Sequence, residues 1–100
     1  MQLTTNYGKR CSAVEAFLKP IKNNKNLKIV LKTIVTKIIF EGDKAIGVET
    51  LNKGKLNKYF ANNEIILTAG AYISPKILML SGVGDENELS KHDIKTICNL

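Results

Sequence analysis

The stretch EIILTAGAYISPKILMLSGVG, residues 64–84, decides the fold. Ile65, Ile66 and Leu67 form a continuous apolar run with no alternation. That pattern belongs to a strand covered on both faces, as in the parallel sheet of an α/β domain. Small residues follow, Ala69-Gly70-Ala71, at the carboxyl end of the run. Open α/β sheets bind their ligands at that end. Ser74 and Pro75 are then expected at the N-cap and first position of a helix. Ile77, Leu78 and Leu80 fill its inner face, and Gly82 stops it.

Working outward toward the N-terminus, Ile34–Phe40 is β-branched and aromatic and reads as a strand, and Ala45–Leu51 and Leu56–Ala61 read as two more. Glu41-Gly42-Asp43 and Asn52-Lys53-Gly54 separate them as short turns. The expectation is an antiparallel meander. Before it, Leu27–Leu31 reads as a strand after a turn at Asn23-Asn24. Ser12-Ala13-Val14-Glu15 fits a capping box, with Val14, Phe17 and Leu18 on a buried face and Pro20 ending the helix. Residues 1–11 read as a strand or loop. Toward the C-terminus, Asp85-Glu86-Asn87-Glu88 resembles a second helix start with Leu89 facing inward, and Lys95–Cys98 a last short strand.

One small domain at most fits in 100 residues, and 44% hydrophobic with 24% charged residues is a globular composition. Apolar runs are too short to span a bilayer, and MQLTTNYGKRCS lacks the apolar segment of a secretory signal. The net charge of +6 is nearly all lysine, densest at Lys19, Lys22, Lys25, Lys28 and Lys32. A small basic module for nucleic acid or an acidic partner is the rival reading. Solvated lysines on turns and outward strand faces account for the same pattern, and no aromatic platform is interleaved. Cys11 and Cys98 have neither CxxC spacing nor a histidine at ligand spacing, so each is expected as a small buried apolar side chain and no metal site is read.

No catalytic constellation is complete. His92 is expected to be a solvated residue near a helix end. Ser74 and Ser81 have no base nearby, and Glu15, Glu41, Glu49 and Glu64 lie on separate elements. Gly82-Val83-Gly84 starts like a dinucleotide fingerprint, but Asn87 replaces the third glycine and the motif follows a helix, so the glycines read as a helix stop and a turn. Thr68-Ala69-Gly70-Ala71 remains. Gly70 lets a cofactor approach the backbone; tight packing of strand on helix explains it equally well.

Residues 69–84 closely resemble the second signature of the glucose–methanol–choline (GMC) oxidoreductases. Arg10-Cys11-Ser12-Ala13, Ala16-Phe17-Leu18 with Pro20, Asn26-Leu27, Val35-Thr36-Lys37-Ile38 and Ala45-Ile46-Gly47-Val48-Glu49 fall in family order, so the resemblance covers residues 8–100. Thr68 and Tyr72 are small departures. The details look most like the insect glucose-dehydrogenase-like branch. The resemblance implies an α/β fold: a partial, Rossmann-like FAD-binding domain in which a three-stranded antiparallel meander precedes a parallel strand and short helices. It implies oxidation of a CH–OH group in a small alcohol or sugar, with FAD as cofactor. Val35 matches the position whose backbone meets the adenine, and Ala69 and Gly70 match the strand end beside the cofactor. The family's Gly-rich N-terminal βαβ unit and its C-terminal catalytic His segment have no counterpart in residues 1–100. The implied reading is one partial domain, an internal piece inactive by itself, with no catalytic residue of its own. A degenerate product without function is a further rival.

Overall fold

Two tight turns build the largest element of the computed structural model, which describes residues 4–100. β3 (Ile34–Glu41), β4 (Lys44–Asn52) and β5 (Lys55–Phe60) form an antiparallel sheet in the order β3-β4-β5. Gly42-Asp43 and Lys53-Gly54 make the two-residue connections, as the turn signals predict. The register pairs Val35 with Thr50 and Gly47 with Phe60, and it shifts between Val35 and Lys37, leaving Thr36 in a bulge. Gly47 is buried because β5 lies against it: a Cβ there would sit 2.5 Å from the Tyr59 carbonyl oxygen and 3.0 Å from the Phe60 ring.

α1 (Ile73–Leu80) packs on β3, and Ile77 (4% exposed) on the helix and Ile38 on the strand are both buried. Gly82 follows the helix in the left-handed region, its N–H donating to the Met79 carbonyl at 3.0 Å. β6 (Val83–Gly84) then pairs in parallel with β7 (Cys98–Asn99). Between them lies α2 (Glu86–Ser90), where Asp85 caps the start by accepting from the Glu88 N–H at 3.0 Å. Leu89 points inward and is fully buried, as its sequence position predicts. Gly84 is thus a strand residue, with φ +158, and not a turn. These elements belong to one compact unit, Lys32–Leu100.

The second unit ends at Leu31. In it β1 (Thr5–Asn6) and β2 (Lys9–Arg10) form a small hairpin; the first three positions of the expected strand or loop lie outside the described residues. A π-helical turn over Val14–Leu18 continues into a 3-10 turn over Lys19–Ile21. Half of the expected capping box forms: Ser12 Oγ accepts from the Glu15 N–H at 3.4 Å. The Glu15 carboxylate does not reach back, because it accepts from Lys19 Nζ at 2.8 and 2.9 Å. Pro20 does not end the turn but sits inside the 3-10 segment, at a position where its missing N–H costs nothing. No residue of the π-helical turn is buried, and Phe17 is 75% exposed, against the expected buried face. About thirty residues cannot enclose a core by themselves.

Several other expectations are corrected. Leu27–Leu31 joins no strand pair among the described residues. Ile65–Leu67 likewise joins no ladder. Its exposure alternates, Ile65 and Leu67 half-buried and Ile66 75% exposed, so the run has cover on one side only. Cys11 is half-buried and Cys98, on the two-residue β7, is exposed, against the expected burial of both. Among the described residues no helix is long and apolar enough to cross a membrane.

Candidate functional site

The start of β3 and the segment after the meander face each other across α1. Val35, Leu67, Thr68, Ala69, Ile73 and Ile77 line the resulting open cleft of about 410 Å³. Two of the residues singled out from sequence, Val35 and Ala69, therefore share one cleft although 34 positions separate them. The bulge at Thr36 fixes where β3 turns past it: the Thr36 hydroxyl donates to Glu49 Oε1 at 2.8 Å, and Lys37 Nζ lies 3.8 Å from Glu49 Oε2.

Gly70 is the next residue beyond the cleft wall. Its φ is +95, in the left-handed region, and a Cβ built on it meets no atom within 4 Å. Tight packing of strand on helix therefore does not account for this glycine, and neither does an intrusion on the turn toward Ser74. Its backbone angle alone favours glycine, while the space beside it stays open.

Ser74 is not the N-cap. Tyr72 holds that position, which places Ser74 and Pro75 within the first turn of α1. The Ser74 N–H donates to the Gly70 carbonyl at 3.0 Å, and Ser74 Oγ accepts from the Ala69 N–H at 3.0 Å. Ser81, at the other end of α1, is 7% exposed. Its Oγ accepts from the Ile38 N–H at 2.7 Å and donates to the Ile77 carbonyl at 2.5 Å. Neither role was legible in spacing, because the Ile38 N–H lies on another element and the Ala69 N–H across a turn.

Among the described residues no acid–base pair assembles at the cleft. His92 is exposed beyond α2, with Nε2 3.7 Å from Glu88 Oε1. The Lys91 ammonium, donating to Glu88 Oε2 at 2.8 Å, holds the Glu88 carboxyl below its ordinary value, and Glu88 raises Lys91 in return. Both groups are solvated and on the far side of Gly82 in sequence from the cleft residues.

The family model described as GMC oxidoreductase matches residues 1–95. Mitochondrial choline dehydrogenase of Mus musculus is 42% identical over 100 residues, covering 100% of this chain and 17% of the relative. Glucose dehydrogenase (FAD, quinone) of Drosophila melanogaster is 40% identical over 102 residues, covering 99% of this chain and 16% of the relative. Among solved structures, an FAD-dependent oxidoreductase from Chaetomium thermophilum superposes with a TM-score of 0.87 at 33% identity, covering 91% of this chain and 16% of that one. Pyridoxine 4-oxidase from Mesorbium loti gives 0.85 at 30% identity, covering 95% and 19%. The chain spans less than a fifth of each of these proteins.

Proposed function

This chain belongs to the GMC oxidoreductases, and from that premise we propose that it is an internal part of the FAD-binding domain of a longer enzyme that oxidises a CH–OH group of a small alcohol or sugar. When bound, FAD supplies the acceptor for the hydride. The residues of this chain hold and orient it. Val35, Ala69 and Gly70 are the proposed contacts, and the observation that carries the reading is the meeting of Val35 and Ala69 in one cleft with open backbone at Gly70. No proton-transfer role is assigned to any residue here, since the cleft brings no acid–base pair together. The small basic module is the weaker reading: the family match runs through both the lysine-rich stretch and the cleft.

Val35 offers the direct test, in the full-length protein. The proposed contact is through backbone, so Val35→Ile is expected to keep its flavin. Val35→Pro removes the N–H and disturbs β3 beside its bulge. It is expected to lose most bound flavin, measured as visible absorbance per protein. Equal flavin in both variants would remove Val35 from the site.

A further inference from the structure

Segment 62–70 carries the strand end proposed to face the cofactor, yet among the described residues it joins no sheet. Backbone groups need partners, and an extended segment normally finds them in a ladder. Among the described residues this segment makes two hydrogen bonds, and both go to Ser74. The Ala69 N–H donates to Ser74 Oγ, and the Gly70 carbonyl accepts from the Ser74 N–H, each at 3.0 Å. The two bonds run in opposite directions across Gly70, whose φ of +95 is the bend that lets them close together. Ser74 is itself held in α1, one turn before Ile77, which is buried on β3. The clasp thus connects a firmly packed helix to a backbone that makes no other hydrogen bond among the described residues.

Resting on the FAD reading above, we propose that Ser74 is a positioning residue: its hydroxyl fixes the Ala69–Gly70 backbone in the shape that receives the cofactor. The hydroxyl is the essential part. An alanine keeps the N–H to the Gly70 carbonyl but leaves the Ala69 N–H without its acceptor. Threonine keeps both bonds.

The test uses the full-length flavoprotein with Ser74→Ala, Ser74→Thr and, as a remote control, Ser90→Ala, whose hydroxyl donates to the Asn87 carbonyl on α2. Three quantities are read: FAD dissociation constant, the visible spectrum of the bound flavin, and hydrogen exchange at the Ala69 amide. Ser74→Ala is expected to weaken FAD binding roughly tenfold, the scale of one lost hydrogen bond. It is also expected to shift the flavin bands and speed exchange at Ala69, with Ser74→Thr restoring all three and Ser90→Ala changing none. Unaltered affinity and spectrum in Ser74→Ala, with faster Ala69 exchange, would overturn the proposal while leaving the clasp as mere structure. Threonine behaving like alanine would overturn it too. Should Ser74→Ala not fold, Ser74→Cys decides: its thiol is a weak acceptor, so wild-type affinity and spectrum there overturn the proposal and intermediate values support it. A wild-type protein that binds no FAD overturns the functional reading itself, and is recognised before any substitution is made.

Discussion

The meander and segment 62–70 are neighbours in sequence and opposites in how their backbones are satisfied. Each strand of the meander finds its partner across a two-residue turn, so pairing costs little loop closure. Segment 62–70 is as apolar as any of them at Ile65–Leu67, and pairs with nothing among the described residues but Ser74. A parallel strand cannot be paired by a tight turn; its neighbours must arrive through crossovers of a dozen or more residues. What makes the first region self-sufficient and the second dependent is therefore topology, not hydrophobicity.

Hydrogen exchange on residues 1–100 would expose that contrast at its largest. Amides of β4, the central strand, are expected to be protected about a thousandfold more than those of 62–68, the difference between sub-global and near-zero opening energies. Equal protection would mean that 62–70 finds partners of its own and would break the comparison.

Next in size is Gly47→Val. A side chain there runs into the Tyr59 carbonyl and the Phe60 ring, so β5 must separate from β4. The expected loss is about 3 kcal/mol of stability, from thermal or urea unfolding. A loss near zero would show that β5 contributes little to the meander.

Ser81→Ala sharpens the role of the helix that both regions share. It leaves the buried Ile38 N–H without its acceptor, at an expected cost of about 1–3 kcal/mol. Its counterpart at the other end of α1, Ser74→Ala, should cost the apo protein less, because Ala69 is exposed and water can replace the hydroxyl. Unfolding curves that rank the two the other way would place the critical polar tie at the cleft instead of the core.

Gly70 gives a modest effect on the apo protein and the most informative one on the holo form. A Cβ meets open space there, so Gly70→Ala costs only the left-handed backbone angle, about 1–2 kcal/mol, and Gly70→Val more, because a β-branched side chain tolerates positive φ less well. Bound flavin should separate them, falling further for valine. If valine retains full flavin, Gly70 does not lie at the cofactor.

Much of this was legible in the chain itself. Apolar runs, β-branched in the first two strands, around two turn signals determined the meander to within a residue or so at each strand end, and Asp85 with Leu89 determined α2, because turn chemistry and helical spacing act over a few residues. The ordered motifs from Arg10 to Gly84 determined the family. Only the tertiary structure decided that Leu27–Leu31 and Ile65–Leu67 stay unpaired, that Ser81 serves a strand 43 positions away, and that Ser74 clasps Gly70 instead of capping the helix. Strand propensity reports what a segment accepts as a neighbour, not whether one arrives. A serine hydroxyl suits a cap, a strand edge or a turn equally, and the choice among them is made by which backbone N–H the fold brings within 3 Å.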